Sequence, residues 1–181
     1  YGNTVHLFER DCSVQRRFQK VIEVAPCQNI SQETKEKLYS YALAITKSVN
    51  YSNAGTVEFL VDKNEGIYFI EVNPRIQVEH TITEAVTGLD LAQIQLRLAA
   101  GATLAELGLT QAQIPAPRGY AVQLRINLES MASDGSARPA GGTLTAYEPP
   151  SGAGIRVDGY GYAGYTSSPS FDSLLAKLIV Q

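Results

Sequence analysis

One stretch decides how this chain folds, and it reads Glu71-Val72-Asn73-Pro74-Arg75-Ile76-Gln77-Val78-Glu79-His80. Just before it, residues 67–72 alternate like a β-strand, and residues 56–61 form a second strand-like run. Residues 62–66 between them are rich in turn formers, so the two runs predict an antiparallel hairpin. If the turn is centred there, the numbers of facing residues sum to about 129, which places Glu58 opposite Glu71.

Two carboxylates that face each other across a hairpin lie roughly 5 Å apart at Cβ and repel. Simple alternation also predicts that Ile67, Phe69, Glu71 and Asn73 share one face of the sheet. The repulsion between Glu58 and Glu71 has to be offset by a raised pKa, a basic neighbour or a divalent cation. Oxygen ligands from two carboxylates and an amide suit Mg²⁺ or Mn²⁺. The alternative is a solvated sheet face with ordinary glutamates.

A second cluster of polar side chains follows directly after the predicted hairpin. Pro74 ends ladder pairing, and Arg75, Gln77 and Glu79 follow at a spacing of two. If the segment stays extended, a guanidinium, an amide and a carboxylate line one wall, where they can hold a small planar oxyanion and supply a base. The alternative is a surface salt-bridge cluster, which is the better interpretation if the carboxylate pair holds no metal.

Residues 10–20 are strongly basic, with Arg10, Arg16, Arg17 and Lys20 against the acids Glu9 and Asp11. A segment of this kind is usually a solvated face. The functional alternative is that its cations face a bound phosphate or bicarbonate.

Composition narrows the class of protein. The chain has 181 residues, of which 44% are hydrophobic, and a net charge of −3, which gives no reason to expect nucleic acid or an anionic membrane surface as a partner. It has no apolar run near 18 residues and no signal-peptide pattern. Cys12 and Cys27 are in no metal-binding pattern and are expected to be free thiols in a reducing compartment.

The pattern changes near a proline-rich linker at residues 113–119, so we predict two domains, residues 1–113 and 114–181. Ser31 and Asp90 are predicted N-caps, and apolar residues at helical spacing follow each of them. The second half of the chain has the pattern of short strands between turns. Helices are predicted over residues 32–49, 83–87, 91–100 and 103–109, and strands over residues 5–8, 21–24, 120–128, 144–147 and 154–157.

Residues 71–80 and 9–20 together closely resemble the two signatures of biotin carboxylase, the ATP-grasp component of biotin-dependent carboxylases. The similarity covers nearly the whole chain and continues through residues 54–59, 123–127, 162–166 and 171–173. The resemblance implies an α+β fold, namely the C-terminal half of an ATP-grasp domain (an antiparallel sheet with helices) followed by the mostly β C-terminal domain of biotin carboxylase.

The activity implied by the resemblance is that of a ligase, which carboxylates biotin with bicarbonate through carboxyphosphate and requires ATP and Mg²⁺ (or Mn²⁺). Two sets of site residues have implied roles in binding the metal ion and bicarbonate. The nucleotide's metal ion is held by Glu58, Glu71 and Asn73, and bicarbonate is held by Lys20, Arg75, Gln77 and the Val78 backbone.

The remaining implied roles concern proton transfer and biotin. Glu79 is the base for bicarbonate, and Arg125 stabilises the biotin enolate. Gln15 lines the active site, Asp172 lies near the biotin pocket, and Arg156 matches a residue of the family's dimer interface. Phe18 stands where the family often has His, so any polar contact from that position is lost.

The resemblance also implies partners: a biotin carboxyl carrier domain, a carboxyltransferase domain or subunit, and a second copy of the component. The expected compartment is the cytoplasm, or the mitochondrial matrix in a eukaryote. Both ends of the chain look cut, so we expect a fragment of a larger protein without turnover by itself. Two alternatives remain: another ATP-grasp ligase, such as the large subunit of carbamoyl-phosphate synthase, and a catalytically incompetent fragment that serves as an assembly surface.

Overall fold

The structure is a computed structural model that describes residues 3–181. It combines helices with antiparallel strand pairs, which confirms the predicted α+β class. No helix in this part of the chain has the length and apolar character needed to cross a membrane. The helices are α1 (Gln32–Ser48), α2 (His80–Thr87) and α3 (Leu91–Ala99). The strands are β1 (Asp11–Arg16), β2 (Gln19–Ala25), β3 (Thr56–Val61), β4 (Ile67–Asn73), β5 (Ala121–Asn127), β6 (Glu129–Met131), β7 (Ala137–Pro139), β8 (Gly142–Thr143), β9 (Ile155–Gly159), β10 (Thr166–Ser167) and β11 (Leu174–Val180).

The chain forms two compact units. The first contains the residues up to Asp11 together with Val24–Ala121, and the second contains Cys12–Glu23 together with Val122–Gln181. The early residues of the second unit belong there because β1 and β2 join the sheet that contains β5. These units divide the chain at different points from residue 113, and the assignment of 1–113 and 114–181 to two family domains stays a prediction.

The first unit contains the three helices and the hairpin β3–β4. Helix α1 begins where its predicted cap lies, because the Ser31 hydroxyl accepts a hydrogen bond from the Thr34 N–H at 3.2 Å. Asp90 caps α3 in the same way, through the Gln93 N–H at 2.8 Å. Helix α2 ends at Gly88, whose φ of 75° is the left-handed conformation that glycine adopts without strain. The buried side chains of α2 include Ile82 and Val86.

A five-stranded sheet organises the second unit, with the strand order β1-β2-β5-β11-β9. Its innermost apolar side chains include Leu175, Ala176 and Ile179 of β11. Strand β11 pairs antiparallel with β5 on one side and with β9 on the other. Two small two-stranded sheets, β6–β7 and β8–β10, complete the unit.

Three predicted elements are wrong. Residues 5–8 form no strand, and Phe8, at φ 67°, is not in an extended conformation. Residues 103–109 form one turn instead of a helix: the Thr103 hydroxyl accepts from the Glu106 N–H and the Glu106 carboxylate accepts from the Thr103 N–H, but Gly108, at φ 68°, ends the turn at once. Residues 144–147 are not a strand, because the short pairing lies two residues earlier, between β8 and β10.

The hairpin turn is tied to the start of α1 by Glu65. Its carboxylate accepts hydrogen bonds from the Ser31 N–H at 2.8 Å and from the hydroxyls of Ser31 and Thr34. These hydrogen bonds, first those from Ser31 and then that from Thr34, hold the pKa of Glu65 below its ordinary value. The carboxylate therefore contributes stability that is fully present above the ordinary glutamate pKa, about 4.3, and is lost as the pH falls through the depressed value.

We expect Glu65→Gln to unfold at a lower urea concentration than the wild type at pH 7, because a neutral amide replaces the charged acceptor of these hydrogen bonds. The difference between the two proteins should shrink as the pH falls below about 4.3, since the wild-type carboxylate is then protonated. Urea titrations at pH 7 and at pH 3 measure it. The control is Glu36→Gln, which neutralises an exposed carboxylate on helix α1. An undiminished difference at pH 3 would show that the charge of Glu65 contributes nothing.

Candidate active site

The hairpin β3–β4 brings the two predicted glutamates together. Glu58 pairs with Glu71 in the antiparallel register, and Thr56 pairs with Asn73. The predicted register is therefore confirmed at this end of the hairpin. The side chain of Glu58 is half-buried and that of Glu71 is exposed.

The predicted faces of β4 are wrong, because the register shifts by one residue next to the glutamates. Phe59 pairs with Phe69 while Glu58 pairs with Glu71, so Ile70 is an extra residue, as in a β-bulge. Directly paired residues lie on the same side of a sheet, and neighbours along β3 lie on opposite sides. The bulge therefore places Glu71 and Asn73 on the face opposite to Phe69 and Ile67, and it separates the carboxylates from the aromatic rings.

Amide groups join the two carboxylates. The Asn73 Nδ2 donates to Glu58 Oε1 at 3.1 Å and to Glu71 Oε1 at 2.9 Å. The Gln77 Nε2 donates to the same oxygen of Glu58 at 2.8 Å. These N–H groups offset part of the repulsion between the carboxylates, which is the effect that a cation would have in their place.

The donor set fits a hard divalent cation. Within residues 3–181 no group of three or more His, Cys, Asp and Glu side chains is arranged to hold a metal ion. The oxygen atoms available at the hairpin come from the Glu58 and Glu71 carboxylates and the Asn73 amide. Rotation of the Asn73 amide by a half turn presents Oδ1 in place of Nδ2, which gives a third oxygen ligand. Mg²⁺ accepts few protein oxygens and keeps other positions for water and phosphate. An exposed Glu71 leaves space for such ligands.

The segment after β4 does not continue as a strand. It bends at Arg75 and turns at Val78 and Glu79, so the argument that side chains at a spacing of two share a side does not apply. Arg75 is exposed and donates to the Ile76 carbonyl at 3.2 Å. Gln77 and Glu79 are both buried, and Glu79 directly precedes α2. The structure thus joins Gln77 to the carboxylate pair.

The remaining predicted site residues lie in the second unit. Lys20 is on β2 and partly buried, and Gln15 is on β1, where its amide donates to the Cys12 carbonyl at 2.9 Å. Asp172 accepts from the Leu174 N–H at 2.8 Å, which fixes a local turn. Arg156 binds Asp158 through two nitrogens, each at 2.8 Å. Phe18 is 99% exposed.

Arg125, on β5, forms a buried ion pair that the sequence analysis missed. Its Nε lies 2.6 Å from Glu23 Oε1, and the Gln123 Nε2 donates to Glu23 Oε2 at 2.9 Å. The side chain of Arg125 is 13% exposed and that of Glu23 is fully buried. The available signal was the alternation Val21, Glu23, Ala25, which places a carboxylate on a core-facing position of a strand.

Arg125 also lines a cleft of about 230 Å³ in the second unit, together with Arg16, Val21, Asn127, Glu129, Ser130, Met131 and Ala137. Burial raises the pKa of Glu129, but hydrogen bonds from Ser173 and Arg16 outweigh it and leave that pKa below its ordinary value. The wall of the cleft therefore includes the ion pair between Arg16 and Glu129 together with the guanidinium of Arg125.

Comparison with known proteins gives matches over most of the chain. Residues 1–107 match the family described as "Carbamoyl-phosphate synthase L chain, ATP binding domain", and residues 123–181 match "Biotin carboxylase C-terminal domain". A pyruvate carboxylase of Aspergillus terreus is 53% identical over 178 residues, which is 98% of this chain and 15% of that protein. A biotin carboxylase of Nostoc sp. is 47% identical over 180 residues, 99% of this chain and 39% of that protein.

Solved structures agree with these matches. The biotin carboxylase domain dimer of the Hydrogenobacter thermophilus 2-oxoglutarate carboxylase, in complex with MgADP, ADP and bicarbonate, superimposes with a TM-score of 0.91 at 46% identity. The match covers 99% of this chain and 38% of that one. The chain thus spans less than half the length of each of these similar proteins.

Proposed function

Because this chain belongs to the biotin carboxylase family of ATP-grasp proteins, we propose that it forms part of an enzyme that carboxylates biotin with bicarbonate. The reaction consumes ATP, requires Mg²⁺ or Mn²⁺, and proceeds through carboxyphosphate. The observation that carries the proposal is the pairing of Glu58 with Glu71, with the Asn73 amide hydrogen-bonded to both. Relatives that are carboxylases, and a similar domain with MgADP and bicarbonate, support it.

Glu58, Glu71 and Asn73 would hold the metal ion. When bound, it neutralises charge on the phosphates of ATP during phosphoryl transfer. The Gln77 amide helps to fix the position of Glu58, because it donates to the carboxylate at 2.8 Å. Preorganised ligands of this kind lose little entropy when the nucleotide binds.

Bicarbonate is the substrate that needs activation, since it is a poor electrophile. Cationic and N–H groups hold its oxygens, and we assign this role to Lys20, Arg75, Gln77 and the Val78 backbone. Glu79 takes the proton of bicarbonate. The freed oxygen forms a bond to the γ-phosphorus of ATP as the bond to ADP breaks, which gives carboxyphosphate.

Biotin, carried on a separate domain, then reacts at N1′. Carboxyphosphate releases CO₂ and phosphate, the phosphate takes the N1′ proton, and the nitrogen forms its new bond to CO₂. Arg125 stabilises the negative oxygen of the biotin enolate in this step. Gln15 lines the active site, and Asp172 lies near biotin in this assignment.

The proposed partners are a biotin carboxyl carrier domain, a carboxyltransferase domain or subunit, and a second copy of the component. The pyruvate carboxylase relative, of which this chain matches 15%, supports the first two, and the solved domain dimer supports the third. A cytoplasmic or mitochondrial-matrix enzyme fits this assignment. We also propose that residues 1–181 alone have no turnover, because they match only 39% of the Nostoc biotin carboxylase.

The second candidate is a ligase similar to carbamoyl-phosphate synthase, which the family description for residues 1–107 favours. The match of residues 123–181 to the biotin carboxylase C-terminal domain argues against it.

The test measures ADP release by the intact protein that contains residues 1–181. We expect the rate of ATP cleavage to depend on bicarbonate, to increase with free biotin, and to be unchanged by ammonium. Labelled bicarbonate should enter acid-labile carboxybiotin. Cleavage that responds to ammonium and not to biotin would replace our proposal with the second candidate. Single-turnover assays on residues 1–181 alone should show no ADP above the blank, and robust activity would contradict that part of the proposal.

A further inference from the structure

Arg10 precedes β1 and is partly buried, in contrast to the solvated face that the basic composition of residues 10–20 suggests. Its guanidinium reaches three segments of the first unit. NH1 donates to the Thr83 hydroxyl of α2 at 3.0 Å, and NH2 donates to the Thr56 hydroxyl of β3 at 3.1 Å. NH2 also lies 3.3 Å from Gln77 Oε1, to which it donates. A guanidinium spreads its N–H donors over three nitrogens in a planar fork, so it can contact acceptors that lie further apart than the single ammonium nitrogen of a lysine can reach.

The contact with Gln77 fixes the orientation of that amide. Gln77 is only 7% exposed, and its two ends face different partners: Oε1 accepts from Arg10, and Nε2 donates to Glu58. An amide has one donating and one accepting end, so a cation on one side and a carboxylate on the other specify the same orientation. Without the guanidinium, a buried carbonyl oxygen loses a charged donor, and the present orientation loses half of its support.

Arg10 also holds the end of the hairpin where the site lies. Thr56 is the β3 residue that pairs with Asn73, and it lies two positions before Glu58 on the same strand face. The guanidinium therefore contacts the strand that carries one carboxylate and the amide that supports it.

We infer that Arg10 is a positioning residue for the carboxylation reaction, and that it acts through the Gln77 amide on Glu58 and on the bound bicarbonate. The inference rests on the proposed function of the site. In this assignment Arg10 contacts neither bicarbonate nor ATP. It holds Gln77 so that Nε2, the only donor of that side chain, is presented on the side of the carboxylate pair.

The test is a double-mutant cycle in the intact protein, with Arg10→Met, Gln77→Ala and the combined variant. Loss of a charged hydrogen bond to Gln77 is expected to raise the KM for bicarbonate by about tenfold or more, with a smaller change in kcat. The half-saturating Mg²⁺ concentration should rise as well. In the Gln77→Ala background the Arg10 substitution should add less than about threefold, because the path through the amide is already gone.

Controls separate this role from a structural one. Arg97→Met removes an exposed guanidinium from α3 and should leave the bicarbonate KM unchanged. Arg10→Lys keeps the positive charge but places it on a single nitrogen, so its bicarbonate KM should lie between those of wild type and Arg10→Met. If Arg10→Met does not fold, the same cycle with Arg10→Lys decides the matter.

Two results would overturn the inference. One is an unchanged bicarbonate KM in a folded Arg10 variant, and the other is an equal effect in the presence and absence of Gln77. Both are distinct from a failure of the proposed function, since that failure would show in the wild type as ATP cleavage independent of bicarbonate.

Discussion

Glu58→Gln is expected to lower bicarbonate-dependent ATP cleavage by the intact protein by about 10²–10³-fold, the usual cost of removing one preorganised electrostatic contact to a reacting charge. The substitution keeps the shape of the side chain and removes one of the two facing charges. A divalent cation then loses half of the negative charge that offsets its dehydration. Glu71→Gln should have a similar effect, because the two carboxylates pair directly across the hairpin.

Thermal unfolding with and without MgCl₂ gives a second measurement that does not depend on turnover. A ligand that binds only the folded state raises the melting temperature, so the wild type should be stabilised by Mg²⁺. Glu58→Gln should lose most of that shift. Without Mg²⁺ it should melt at the same temperature as the wild type or slightly above, because it removes the repulsion between facing carboxylates.

Glu148→Gln is the matched control, since it neutralises an exposed glutamate in the second unit. It should leave both the rate of ATP cleavage and the Mg²⁺-induced shift unchanged. An Mg²⁺ shift that persists in both Glu58→Gln and Glu71→Gln would mean that the metal ion is held elsewhere, and the assignment of these carboxylates would then be wrong.

The pairing of Glu58 with Glu71 is predictable from sequence because it depends on local information. The turn formers at residues 62–66 set the register of two adjacent strands, and the register sets the facing residues. The bulge at Ile70 is not predictable in the same way. Phe69 and Ile70 are both apolar, so the extra residue Ile70 leaves no mark on the hydrophobic pattern, although it reverses the face of the β4 residues before it.

Contacts made at long range are missed for a different reason. Glu23 and Arg125 are 102 positions apart, and Arg10 and Gln77 are 67 apart. No periodicity or motif joins such residues, so the composition of residues 10–20 suggests only a solvated basic face. Tertiary packing gives Arg10 three acceptors in the first unit, and strand pairing places Glu23 beside Arg125 in the second.

Glu23→Leu is expected to reduce the free energy of unfolding by about 3–5 kcal/mol, the usual cost of removing one partner of a buried ion pair. Glu23 is fully buried, and its two oxygens accept from Arg125 and Gln123. A leucine of similar volume fills the space and accepts neither hydrogen bond. Urea denaturation at pH 7 measures the loss. Glu33→Gln, which breaks the exposed pair with Lys37, is the control and should cost much less, because exposed ion pairs contribute little to stability.

The combined variant Glu23→Leu/Arg125→Leu separates stability from chemistry. Replacing both members of a buried ion pair by apolar side chains is often neutral, so the combined variant should recover the part of the loss that the unpaired guanidinium causes. It should not recover biotin carboxylation, because the group proposed to stabilise the enolate is absent. If instead Glu23→Leu is as stable as the control, the ion pair contributes no more than an exposed one. Glu23 then serves only to orient Arg125, and the Glu23→Leu protein should lose carboxylation without losing stability.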